Sequence, residues 1–327
     1  MSRLIKLFLI SCFLISISAC KKEESKEVII YSNADEEAQL AIQKVLDANG
    51  FKGQYILQAF GTNELGGKLL GEGIDIEADL ITMSSYYIDS AQKENDMFVD
   101  FEIDKQLLGA AKTYRKPLLA IEGSIIINTK EIKKEHLEVP ISLKDLSKKE
   151  YKDHIAIVDM AGSSTGWLLI QALIDTYGEK ESEKIYTKMI ENAGPHLENS
   201  GSGPLKKVRA GEVAIGFGLR HQAIADKVAG LPIDYVDPSE GNYSISESIA
   251  IVKRSDKKVK LAKAMAKCIL EEGRKEIIQV YPIPLYEGEE NIEPTKVNEK
   301  IFSKPLTIEL LQEHLDLSEK CRMKAWE

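Results

Sequence analysis

The chain has 327 residues, a formal net charge of −9 at pH 7, 43% hydrophobic residues and 7% aromatic ones. That length exceeds what one compact core serves well and predicts two domains. The acidic balance, with no basic stripe to follow a phosphate backbone, excludes nucleic acid as a partner.

The first twenty residues predict a secreted protein. Arg3 and Lys6 precede an apolar run, Leu7 to Ile17, broken only by Ser11 and Ser16, and Ser18-Ala19-Cys20 follows. A run this short is a secretory signal rather than a membrane span, which needs about 20 apolar residues. Ser-Ala-Cys resembles a bacterial lipobox. It predicts cleavage after residue 19 and acylation of Cys20, with the charged stretch 20–27 as a solvated tether. A free Cys after an ordinary signal peptide is the alternative. Of the four cysteines, Cys268 and Cys321 remain; they lack the spacing of a metal site and are expected either as buried thiols or as a disulfide.

Past the tether, short apolar strands alternate with helical periodicity, which predicts an α/β fold. Val28 to Ser32 reads as a strand, Asp35 to Asn49 as a helix, Tyr55 to Phe60 as a strand, Glu64 to Gly71 as a helix and Ala78 to Met83 as a strand. Leu118 to Asn128 is a long extended stretch. A new series follows: strand His154 to Met160, helices Trp167 to Tyr177 and Lys180 to Asn192, a short helix Leu205 to Arg209, and strand Glu212 to Phe217. Ser244 to Val252 is a second long extended stretch, and Lys257 to Gly273 and Thr307 to Ala325 read as helices. Two extended segments bracketing a central block predict a discontinuous first lobe, 28–122 with 250–327, and an inserted second lobe, 123–249. They would form a two-strand hinge.

Four segments share one design, in which a strand ends, small hydroxyl or glycine residues follow and a helix begins. They contain Ser32 and Asn33; Gly61 and Thr62; Gly162 to Gly166 with Ser163, Ser164 and Thr165; and Asn199 to Gly203 with Ser200, Gly201 and Ser202. Ligands in open α/β sheets bind outside the carboxyl ends of strands, and helix N-termini favour anions. The same residues also make ordinary helix caps. Ser84, Ser85, Tyr86 and Tyr87 stand at another strand end, and Arg220 is a cation able to pair with a bound anion. Asp35, Glu36 and Glu37 suit a first helical turn in any protein. Nothing assembles a catalyst. The five histidines are scattered, no HExxH is present, and Gly61 to Gly67 lacks the Gly-Lys-Ser/Thr ending of a nucleotide loop.

The segments VIIYSNADEEAQLAIQKV, GTNELGGKLLGEG with ADLITMSS, VPISLKDLSKKEYKDHIAIVDMAGSSTGWLLIQAL and NSGSGPLKKVRAGEVAIGFG together resemble the family-1 extracellular solute-binding proteins of ABC importers. The branch they resemble contains binders of ferric iron, of 2-aminoethylphosphonate and of phosphorylated solutes. The resemblance implies a two-lobed periplasmic-binding-protein fold of type II and a monomer that catalyses nothing. It implies no cofactor or resident metal, a small anionic solute in the interlobe cleft, and partners in an ABC permease and its ATPase subunits. The membrane would be reached only through the lipid anchor. Iron-binding relatives carry adjacent tyrosines just past the strand that here ends at Phe217, whereas this chain continues Gly218-Leu219-Arg220-His221. The resemblance therefore implies a phosphonate- or phosphate-bearing solute first, at Ser32, Asn33, Thr62, Ser84, Ser85, Ser163, Ser164, Thr165, Ser200, Gly201, Ser202 and Arg220. Ferric iron or another small solute is the alternative. A secreted phosphoesterase using the same anion-binding loops is the more distant one.

Overall fold

The computed structural model describes residues 26–109, 112–290 and 299–327. The expected signal peptide, Cys20 and most of the tether lie outside the described residues. Among the described residues no helix is long and apolar enough to cross a membrane.

The first lobe begins with β1 (Val28–Ser32), α1 (Glu36–Ala48), β2 (Tyr55–Ala59), α2 (Thr62–Glu72), β3 (Leu80–Ser84) and α3 (Ser85–Asn95). β1 lies between β2 and β3 and is parallel to both. Helices cover this sheet, which is why β1 and β3 are almost continuous runs of buried residues rather than alternating ones. The central block holds β5 (Ile155–Val158), α5 (Ser164–Tyr177), α6 (Glu179–Ala193), β6 (Leu197–Glu198), α7 (Gly203–Ala210), β7 (Ile215–Leu219), α8 (Arg220–Val228) and β8 (Ile233–Val236). Here β5 is parallel to both β6 and β7.

Two long strands join the halves. β4 (Arg115–Asn128) and β9 (Asn242–Ile251) run antiparallel, from Arg115 opposite Ala250 to Glu122 opposite Ser244. The residues of β4 from Gly123 to Ile127 turn their other edge to β7, while those of β9 from Glu247 to Ile251 pair with β3. One continuous ladder thus runs β2-β1-β3-β9-β4-β7-β5-β6 through both lobes. Pairing with β7 begins at Gly123 on β4, and pairing with β3 begins at Glu247 on β9, which stays opposite β4 from Ser244 to Ala250.

The chain ends with α9 (Asp256–Glu271), α10 (Arg274–Val280), β10 (Glu299–Lys300) and α11 (Ile308–Trp326). The sequence places all of 250–327 with the first lobe. In the structure, α11 lies along α6 of the central block. Lys320 and Lys324 reach Glu183, Arg322 reaches Asp159, and Trp167 Nε1 donates to His314 Nδ1 at 2.8 Å. Its buried stripe, Leu310, Leu311, His314, Leu317 and Cys321, is amphipathic in sequence but carries no information about which lobe will cover it. Cys268 and Cys321 are free thiols.

Four helices were not anticipated, one of them α10 (Arg274–Val280). α3 begins at Ser85, where the sequence suggests only a strand end, and α8 begins at Arg220 because β7 runs two residues further than Phe217. α4 (Thr129–Lys134) follows β4 directly, with the Asn128 side chain accepting from the N–H groups of Lys130 and Glu131.

Candidate functional site

The loop after β5 and the loop before α7 are packed backbone to backbone. A Cβ at Gly162 would stand 2.5 Å from the carbonyl oxygen of Asn199, so only glycine permits this approach. Gly201 likewise leaves room for the Thr165 hydroxyl, which would lie 2.4 Å from any Cβ there. Ser163 caps α5, its Oγ accepting from the Thr165 N–H at 3.3 Å. The N-termini of α5 and α7 therefore open onto the same groove.

The first lobe supplies the opposing wall. Asn33 Nδ2 donates to Thr62 Oγ1 at 3.0 Å and to Glu247 Oε1 at 3.2 Å, tying the ends of β1 and β2 to the crossing strand β9. The groove, about 300 Å³, is lined by Asn33, Asp35, Thr62, Ser163, Ser200 to Ser202 and Lys206, with Glu36 and Glu37 on its rim. Its inner end is a slot of about 20 Å³ between Asn33, Asp35, Thr62, Ser163, Ser164, Thr165, Glu247 and Tyr281, walled by Leu119, Ile121 and Leu219.

The lobes are latched around this groove. Asn63 Nδ2 donates across it to the carbonyls of Met160 at 3.1 Å and Ala161 at 2.9 Å, while its Oδ1 accepts from the Tyr87 hydroxyl at 2.9 Å. Gln222 Nε2 donates to Glu37 Oε1 at 3.2 Å. The cleft is closed.

Of the residues singled out in the sequence, Asn33, Thr62, Ser163, Ser164, Thr165, Ser200, Gly201 and Ser202 meet in this cleft. Others do not. Ser32 is fully buried behind it, its Oγ accepting from the Ala34 N–H and from the Thr82 hydroxyl, so that it locks the turn after β1. Ser84 is fully buried under the start of α3. Ser85 shares a hydrogen bond with Ser248 at 2.7 Å and faces a separate cavity of about 620 Å³ with Tyr86, Asp89 and Arg115. Arg220 is buried in a two-bond fork on Asp237, Nε to Oδ1 at 2.8 Å and Nη2 to Oδ2 at 3.1 Å, with its guanidinium over the Tyr235 ring. Its charge is met by a carboxylate rather than turned to the cleft. The positive charge that does line the groove is Lys206, on α7.

The slot is strongly acidic, which the sequence did not reveal. Glu247 is 4% exposed, and burial, reinforced by the nearby charge of Asp35, pushes its carboxyl up to about 8, against the hydrogen bond from Asn33. Asp35 is pushed up to about 6 by burial and then by Glu37, with the Tyr281 hydroxyl at 3.2 Å and Lys206 pulling the other way. A single glutamate inside the strand NYSISESIAI was the available signal for Glu247. Nothing in the local pattern distinguishes it from a solvent-facing residue of an alternating strand.

Residues 78–299 match the family described as bacterial extracellular solute-binding protein. An uncharacterized protein of Haemophilus influenzae is 28% identical over 156 residues, 46% of this chain and 45% of that protein, so the matched region spans about half of that relative's length. The spermidine/putrescine-binding periplasmic protein of Salmonella typhimurium is 24% identical over 238 residues, 68% of each chain. Among solved structures, the periplasmic binding protein AfuA from Actinobacillus pleuropneumoniae, with exogenous fructose-6-phosphate bound, superposes with a TM-score of 0.70 at 18% identity. The superposition covers 91% of this chain and 97% of that one. The likeness establishes the two-lobed periplasmic-binding-protein architecture expected from the sequence.

Proposed function

Because the chain belongs to the bacterial extracellular solute-binding protein family, we propose that it is a lipid-anchored solute receptor of an ABC importer. It holds a small solute by a phosphonate or phosphate end in the closed cleft, 2-aminoethylphosphonate being the model ligand, and delivers it to a permease driven by ATPase subunits. The observation that carries this reading is the convergence of two helix N-termini and their hydroxyl-bearing loops on one groove. The positive dipole ends at the starts of α5 and α7 favour an anion, and Lys206 adds a cation beside them. AfuA, of the same fold, was solved with a phosphorylated sugar. The hinge of the reading is the β4–β9 pair, about which the lobes rotate when solute enters.

Charge-assisted hydrogen bonds contribute about 1.5–3 kcal/mol each. Ser202→Ala and Ser164→Ala are therefore each expected to weaken binding of 2-aminoethylphosphonate by roughly tenfold to a hundredfold in titration calorimetry, since every 1.4 kcal/mol is tenfold. The apo urea midpoint should stay near that of the parent. Variants that bind as tightly as the parent would reduce both loops to helix caps, and tight ferric-ion binding without phosphonate binding would move the protein to the other ligand class. Release of phosphate from phosphorylated solutes would instead make it a phosphoesterase.

The anchor has its own test. Mature protein should partition with membranes, and Cys20→Ser should appear in the soluble fraction. A Cys20→Ser protein that stays in the membrane fraction with the parent's mass contradicts acylation at this residue.

A further inference from the structure

We propose that the inner slot of the cleft is a subsite for a primary ammonium group, held by Glu247 together with Asp35, and that the transported solute is therefore an amine. The inference rests on the cleft being the solute site, as above, and adds what its inner end recognises.

The slot is the right size. A cavity needs about 10–15 Å³ to hold one water, and the slot has about 20 Å³, room for one –NH₃⁺ and little else. It is also short of donors. Glu247 Oε1 is taken by Asn33, but Oε2 accepts from no described residue, although the side chain is 4% exposed. Asn33 Oδ1 is likewise without a partner among the described residues. Both Asn33 Nδ2 hydrogens have acceptors already, and the Tyr281 hydroxyl is committed to Asp35. Buried polar atoms left without partners in this way are costly, and an ammonium group offers three donors to the ionised carboxylate and to Asn33 Oδ1. The walls contributed by Leu119, Ile121 and Leu219 are apolar, which strengthens attraction to a cation and raises the penalty for a second anion.

Position completes the case. Glu247 lies on the crossing strand β9, paired with both β3 and β4, and Ser163 to Thr165 approach the same slot from the central block. A cation seated here bonds to both sides and favours the closed state. The anionic end would lie in the outer groove beside Lys206 and the start of α7, so a short aminoalkyl phosphonate or phosphate satisfies both ends.

The test is titration calorimetry of the mature chain with three probes: 2-aminoethylphosphonate, ethylphosphonate and putrescine. In the parent, 2-aminoethylphosphonate should bind roughly tenfold to a hundredfold more tightly than ethylphosphonate. Glu247→Gln should remove most of that difference, so that the two phosphonates bind with similar affinity. Asp35→Asn, which alters the same slot from α1, provides a second variant should Glu247→Gln fail to fold. Equal affinity for the two phosphonates overturns the ammonium subsite and leaves the anion site standing. Putrescine binding that depends on Glu247, with neither phosphonate bound, upholds the subsite and defeats the anion reading. No advantage for an amine over its amine-free counterpart, in parent or variant, overturns the inference.

Discussion

Arg220→Ala is expected to destabilise the protein by about 3–5 kcal/mol, because it strands a buried carboxylate. Arg220 is 1% exposed and the Asp237 side chain 6%, and the guanidinium meets that carboxylate through two hydrogen bonds while stacking on Tyr235. After the substitution only Asn242, donating at 3.0 Å, would remain of the contacts described for Asp237. Urea unfolding should therefore show a lower midpoint with an unchanged slope. The double variant Arg220→Met with Asp237→Leu should recover most of the loss, since replacing both members of a buried pair by apolar residues is often close to neutral. A single variant as stable as the parent, but with abolished solute binding, would return Arg220 to the role of a ligand cation that its sequence position suggested.

Affinity for an amine solute should rise about tenfold per pH unit between roughly pH 6 and 8 and then level off. An ammonium ion binds the carboxylate form of Glu247, whose carboxyl in the empty site sits at about 8, so each binding event near neutrality releases one proton. The neighbours of Glu247 do not offset this. Asp35 titrates lower, at about 6; burial keeps Tyr281 protonated and His221, at about 3, neutral; and Lys206 stays on the outer groove. Glu37, in the same first turn of α1, adds further negative charge. The stability of the empty protein should move oppositely. A carboxyl raised from 4.5 to about 8 carries no penalty below its unfolded value, and stability falls as pH rises through the folded one. At 1.36 kcal/mol per unit the loss is on the order of several kcal/mol at most, and Glu247→Gln should abolish it. Calorimetry in buffers of different ionisation enthalpy measures the proton directly. An affinity that is flat from pH 6 to 8 would show that Glu247 does not meet the charge.

What the sequence determined by itself is local. The apolar run before Cys20 predicted export. Alternating short strands and helices predicted the α/β lobes, whose architecture the structure bears out, and the two extended stretches marked the strands that became β4 and β9. Runs of small residues marked the loops at the starts of α5 and α7, because glycines and hydroxyls in that density exceed the needs of one cap. Tertiary structure decided the rest, because convergence depends on distance in space and not on period. Asn33 and Glu247 are 214 residues apart and meet at 3.2 Å, and nothing in either neighbourhood announces the other. Ser32, Ser84 and Ser85 stand at strand ends like the cleft residues, yet their strands aim them into the core or at another cavity. Arg220 was legible as a cation, but whether it faced a ligand depended on Asp237, delivered by a separate strand. The acidity of the slot arises only when β9 crosses between the lobes and places one glutamate beside the first turn of α1, where burial raises its carboxyl to about 8 and leaves Oε2 without a partner among the described residues.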